Sequence, residues 1–196
     1  MYGIYDGGVV IAQLAAPMMV RSNTPIFASD TLSLKRYVNT RPSQRWEIES
    51  NIVPLTSGAS DLMVNMVTKG YTETLQIVIP QIIDAQRRRT ATTGVTASGN
   101  INGTSITISN PSGLIPKGSF VNFVGHSKVY MLRDDISSAG VVNIYPALQD
   151  TLVNASMYYQ EDVLMDCYYE TEIAMGMSFI DGILMDPGSM KFVEAV

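Results

Sequence analysis

The segment Arg45-Trp46-Glu47-Ile48-Glu49-Ser50-Asn51-Ile52 is a strict period-two run, and it constrains the fold more than any other stretch of the chain. Successive side chains of an extended strand point to opposite faces. Trp46, Ile48 and Ile52 are therefore expected to face a core, with Arg45, Glu47, Glu49 and Asn51 on the other side. A slip of one residue would turn every one of them over, so the register is firmly specified. Pro54 ends the run, because proline has no amide hydrogen to give to a ladder.

Other short runs read the same way. Val9-Val10-Ile11 and Ser33-Leu34-Lys35-Arg36-Tyr37-Val38 favour strands bounded by turn residues, and Leu75-Gln76-Ile77-Val78-Ile79 is a strand closed by Pro80. The period changes once. Ala59, Leu62, Met63, Met66 and Val67 fall at helical spacing and predict one apolar stripe on a helix over about 58–69. Ser57 or Gly58 can cap its start, Asp61 sits near the positive end of its dipole, Lys69 lies in the last turn, and Gly70 supplies the stop. About three turns cannot stand alone, so this stripe must lie on a sheet.

Thr90 through Pro116 contains no charged residue and is rich in Gly, Ser, Thr and Asn. It reads either as a solvated loop or as the start of an inserted β-module. The alternation in Thr104-Ser105-Ile106-Thr107-Ile108-Ser109 favours the module. In Phe120–Val124, Phe120, Asn122 and Val124 point one way, with Val121 and Phe123 the other. Val129–Leu132 and Val141–Tyr145 continue the series, with Ser137-Ser138-Ala139-Gly140 at a turn. Beyond it, Val163–Tyr169, Ala174–Ile180, Gly182–Met185 and Lys191–Val196 read as strands returning to the first sheet, with turns at Asp181-Gly182 and Asp186-Pro187-Gly188. The expected fold class is all-β, a mainly antiparallel sandwich or open barrel with one short α-helix. The expected organisation is a β domain of residues 1–89 plus 160–196, carrying residues 90–159 as an inserted β-module.

Composition narrows the function classes. The chain of 196 residues has 13 Lys+Arg against 18 Asp+Glu, a net charge of −5, and 46% apolar residues, which excludes a disordered chain. Charged residues make up 16%, against about 25% in an average soluble domain. One cysteine, Cys167, excludes an internal disulfide framework, and a single His with a single Cys argues against a structural zinc site. No run of about 18 apolar residues predicts a membrane span. The mostly apolar Val9–Val20 lacks a basic lead, follows Asp6, and is broken by Gln13 and Pro17, so no signal peptide is expected and a reducing cytoplasm is the expected site of synthesis. No catalytic elbow or phosphate loop is present, and His126 reads as a hairpin-edge residue beside Ser127. An enzyme is not expected, and neither is a cofactor or a metal.

Three clusters remain. Glu161, Asp162, Asp166, Glu170 and Glu172 read as a hard-cation site, a solvated acidic face, or the lining of a pore if the chain forms a ring. Arg87-Arg88-Arg89 reads as a solvated junction or as intersubunit partners for carboxylates, with nucleic-acid contact the weakest option. The twelve methionines read as core filler, with Met63, Met66, Met165, Met175, Met177 and Met185 at core-type positions. Low charge with average apolar content favours assembly over free solution.

The order of segments resembles the distal tail, or baseplate-hub, proteins of long-tailed bacteriophages. The resemblance spans roughly residues 30 to 150. It runs from Leu32-Ser33-Leu34-Lys35-Arg36 and Gln44-Arg45-Trp46-Glu47-Ile48-Glu49, through a helix and a strand ending at Pro80-Gln81, to Gly118-Ser119-Phe120-Val121-Asn122-Phe123. His126-Ser127-Lys128-Val129-Tyr130-Met131 and Tyr145-Pro146-Ala147-Leu148 complete it, with Ala147 where a second proline is common. The resemblance implies a tail-tube-like fold closing into a homo-oligomeric, six-fold ring in the virion tail, assembled in the host cytoplasm. Such a ring joins the tail tube to the tip, hub or baseplate proteins and lets DNA pass in transit. It would put some of Glu161, Asp162, Asp166, Glu170 and Glu172 on the channel, and Arg87, Arg88 and Arg89 between subunits. The alternative is a carbohydrate-binding β-module of a virion or secreted protein, stacking sugars on Tyr158, Tyr159, Tyr168 and Tyr169.

Overall fold

The computed structural model describes residues 2–30, 36–40, 43–55, 59–69, 72–91, 94–160, 163–170, 178–180, 184–186 and 188–196. Up to the first helix the elements are β1 (Gly3–Asp6), β2 (Val9–Asn23), β3 (Ile26–Asp30), β4 (Arg36–Thr40) and β5 (Arg45–Pro54). Then come α1 (Ala59–Thr68), β6 (Leu75–Val78), α2 (Ile83–Arg88), β7 (Thr96–Gly99), β8 (Ser105–Ser109), β9 (Phe120–Phe123) and β10 (Tyr130–Leu132). The chain continues with β11 (Gly140–Tyr145), β12 (Leu152–Tyr158), β13 (Leu164–Tyr169), β14 (Ser178–Ile180), β15 (Leu184–Asp186) and β16 (Ser189–Glu194).

The fold is all-β with short helices, and its main sheets close. One barrel runs β1-β2-β5-β16-β13-β6 and shuts where β6 pairs with β1, Ile77 opposite Ile4. A second runs β10-β11-β8-β7-β12-β9 and shuts where β9 pairs with β10, Val121 opposite Tyr130. All strands of the second barrel lie in the chain between β6 and β13, which are neighbours in the first. The sequence suggested a sandwich or an open barrel. Closure is the stronger solution for short twisted strands, because it leaves fewer unpaired edges.

The alternation of β5 sets the first core. Trp46, Ile48 and Ile52 are buried, as the period predicts, and Ser50 on the same face spends its hydroxyl on the Ala15 carbonyl at 2.8 Å. They pack with Ile4, Leu14, Ile77, Met165 and Phe192. In the second barrel Ile106, Ile108, Val142 and Ile144 turn inward onto Val121, Phe123, Tyr130 and Leu132. The β9–β10 hairpin serves both cores. Val121, Phe123, Tyr130 and Leu132 fill the second, while Phe120, Val129 and Met131 pack on the first. Burial on both faces explains why all of Phe120–Phe123 is inaccessible. Gly113 closes a tight approach near this barrel: its φ is +112°, and a Cβ there would come within 2.8 Å of the Thr90 carbonyl.

Helix α1 forms where the apolar stripe predicted, but it sits on a different face. Leu62 and Met66 are buried with Asn65 between them, whereas Met63 and Val67 are exposed. The reason is polar. Asn65 donates to Asp6 at 2.8 Å and accepts from the Tyr169 hydroxyl at 3.0 Å, and Lys69 pairs with Asp6. These bonds rotate the helix about its axis, bringing Asn65 inward at the expense of Met63. The Lys69 and Asn65 hydrogen bonds hold the Asp6 carboxyl below its ordinary value of 3.8, against the effect of burial. Helix α2 was not anticipated, and the arginine run falls in its last turn and cap. The proposed caps Ser57 and Gly58, the stop Gly70, Met175, Met177 and the Asp181-Gly182 turn lie outside the described residues.

Two outcomes follow for stability. Phe192 is wholly buried, so Phe192→Ala should cost about 3–5 kcal/mol, while Val141→Ala on the outer face of β11 should change stability by less than about 0.5 kcal/mol. Urea unfolding of the two variants checks the contrast. Because the folded Asp6 carboxyl has the lower pKa, its contribution is present above the unfolded value and is lost as pH falls through the folded one. Asp6→Asn should therefore be less stable than the parent at neutral pH, and the gap should narrow below about pH 4.

Candidate functional site

Strand β16 carries the key polar group. Met190, Phe192 and Glu194 share its inward parity, so the strand places a carboxylate in a row of core residues. Glu194 and Lys128 are both buried, and they form an ion pair at the junction of the two barrels. One carboxylate oxygen accepts the Val129 amide at 2.8 Å. The other accepts the Trp46 amide at 3.0 Å together with the Lys128 ammonium, which also donates to the Gln44 carbonyl at 2.8 Å. Burial pulls the Lys128 pKa down against the attraction of Glu194.

Neighbouring contacts cross the same junction. The Trp46 indole donates to the Val129 carbonyl at 2.8 Å, and its ring meets Phe120 edge-on with centroids 5.1 Å apart. Gln81 clamps the Phe120 backbone, donating to its carbonyl and accepting from its amide, each at 2.9 Å. Asn122 donates to the Leu164 carbonyl at 2.9 Å. Trp46, Leu164 and Glu194 belong to the first barrel, and Phe120 and Asn122 to the second. Lys128 and Val129 stand in the loop that leads into β10. This constellation welds two barrels; a lysine sealed in it has no route to a substrate. In the sequence Lys128 stands out only as part of the His126–Met131 motif, with no sign that it is buried. The available signal was Glu194, an acid at core parity between Phe192 and Ala195.

The residues singled out from the sequence lie elsewhere. Asp166 stands on the outward parity of β13, and Glu170 follows the strand's last residue. Asp166 accepts from Gln76 at 2.9 Å, and Glu170 pairs with Lys191 at 2.8 Å. Lys191 also reaches Glu47 at 3.0 Å, beside a cleft of about 430 Å³ bounded by Asn23, Arg45, Glu47 and Glu170. Glu161, Asp162 and Glu172 lie outside the described residues. Arg88 pairs with Asp135 at 2.8 Å and Arg89 donates to the Tyr159 carbonyl at 3.0 Å, so both bind within the chain, while Arg87 is exposed.

Of the four tyrosines, Tyr159 is buried in the second core and Tyr169 in the first. Tyr158 and Tyr168 remain on the surface side, too few for a four-ring platform. Cys167 is buried, and burial raises its thiol pKa well above the ordinary range, so it makes a poor nucleophile. Half-buried His126 meets the edge of Phe123, centroids 6.4 Å apart. Among the described residues, no group of three or more His, Cys, Asp and Glu is placed to hold a metal, and no helix is long and apolar enough to cross a membrane.

A scan against protein-family models finds no match to this chain, and a search of curated proteins finds none either.

Removing one partner of a buried pair leaves an uncompensated charge. Lys128→Met should destabilise the protein by about 3–5 kcal/mol, and Lys128→Met combined with Glu194→Leu should recover much of that loss. Denaturant unfolding of the single and double variants measures the recovery.

Proposed function

We propose that this protein is a structural component of a bacteriophage tail tip or baseplate that works by assembly rather than catalysis. Copies of the chain form a homo-oligomeric ring, six-fold by the resemblance, joining the tail tube to the hub or tip proteins around a channel that DNA crosses in transit. Its place is the virion tail, built in the host cytoplasm.

The observation that carries this reading is where the apolar side chains remain once both cores are complete. Met63, Val64 and Val67 on α1, Ile26 on β3, Val141 on β11 and Val153 on β12 are all more than two-fifths exposed, although both barrels are closed and filled without them. Met63, Val64 and Val67, grouped at i, i+1 and i+4 on one helix, make the kind of exposed apolar cluster that marks an interface. The low charge content points the same way, since the cores of lasting interfaces are poor in charge. Asp166 on β13, with Glu170 just past its end, suits a channel wall, where negative charge repels phosphate.

Light scattering coupled to size exclusion tests the proposal. The expected mass is six times the 21.4 kDa of one chain, with ring-shaped particles in electron micrographs. A monomer persisting at high concentration and in the presence of tail-tube protein would overturn it.

A further inference from the structure

Beyond Asn23 and Arg45, the two segments that pair as β2 and β5 pair again as β3 and β4, with Ile26 opposite Thr40 and Asp30 opposite Arg36. Among the described residues this ribbon pairs with no other strand. It forms an arm, and Ile26 and Tyr37 on it are 58% and 56% exposed. The arm is also the basic part of an acidic protein. Between Asn23 and Arg45 the sequence holds Lys35, Arg36 and Arg41 against Asp30, a net +2, so the remainder of a chain of net −5 carries −7.

The outer face of α1 has the opposite character. Val64 and Val67 are 59% and 75% exposed, with Met63 beside them. Exposed Asp61 stands one turn before Val64, and exposed Glu73 follows the helix. Lys69, the nearest cation in the chain, is already paired with Asp6. An apolar stripe with acidic flanks thus matches an apolar ribbon in a segment whose sequence carries net positive charge.

We propose that the arm of one copy of this chain lies across the outer face of α1 of a second copy. The inference rests on the assembly reading and supplies its contact. Two different patches meet, so the interaction is head-to-tail and can repeat from copy to copy until a ring closes. The charge difference between arm and body selects a second copy as the occupant, and the apolar residues supply the burial.

Complementary variants of the full chain provide the test, because both positions are exposed and substitution leaves the cores intact. By sedimentation velocity, Ile26→Asp and Val67→Asp should each run as a 21.4 kDa monomer under conditions where the parent assembles. Mixed, they should form a one-to-one dimer, since one intact arm and one intact helix face remain. Raising salt from about 0.1 M to about 1 M shortens the screening length from about 10 Å to about 3 Å and should shift the parent toward smaller species. If either aspartate variant loses its circular-dichroism spectrum, an Ile26→Cys, Val67→Cys chain replaces it, and oxidation should give an intermolecular ladder of cross-linked copies. Rings from both aspartate variants would overturn the arm contact and leave the assembly reading standing. A monomeric parent at every concentration would overturn both. Retention of duplex DNA by a monomeric parent, lost in Arg36→Glu with Arg41→Glu, would overturn the proposal in favour of a nucleic-acid arm.

Discussion

The carboxylate of Glu194 governs how the two barrels stand against each other. It takes the Val129 amide, the Trp46 amide and the Lys128 ammonium, which together join β16, β5 and the loop before β10. Desolvating an acid and a base is expensive, and apolar side chains of like volume often do as well. The directional bonds supply what apolar packing would not, a single relative orientation. Sliding or rotating one barrel would strand a charge, so the junction tolerates few alternatives. Trp46 and the Gln81 clamp on Phe120 add geometry to the same end.

That rigidity bears on assembly. Strands β9 and β10 have no solvent face to offer, since each side lies on one of the two cores. In the proposed ring, binding surface would therefore come from the far walls of the barrels, from α1 and from the β3–β4 ribbon. These are the places where Val141, Val153, Val64, Val67 and Ile26 stand exposed. A subunit that holds such patches at fixed angles can repeat a head-to-tail contact with constant rotation, as a ring requires.

Local alternation made much of this fold legible. The inward residues of β5 and β8 can be read from the sequence, because period two leaves a strand one sensible register against a core. Other features depend on distant partners. Strand β2 runs fifteen residues, although the sequence promised a strand only at Val9-Val10-Ile11. Pro17 obscured the rest, and it lies where pairing with β5 slips, between Ala15 opposite Asn51 and Met19 opposite Glu49. A bulge accommodates a residue that cannot donate. The face of α1 was misjudged because Tyr169, more than a hundred residues away, offers Asn65 a buried partner. The burial of Lys128 could not be foreseen for the same reason, since its partner is Glu194. Among the acidic residues, Asp166 and Glu170 stand out in the sequence only as part of a cluster, and their ties to Gln76 and Lys191 could not be read from spacing.

The order of strands along the chain has a consequence for biosynthesis. In the first barrel β16 stands between β5 and β13, and it is translated after every strand of the second barrel. On the ribosome the later-encoded barrel can complete itself while the earlier one still gapes, with Ile48 and Met165 waiting for Phe192. Emergence of β16 then shuts the cylinder and delivers Glu194 to a lysine already in position. The α1 face and the arm are translated before that event, so a nascent chain would display Val64, Val67 and Ile26 before its first barrel is shut.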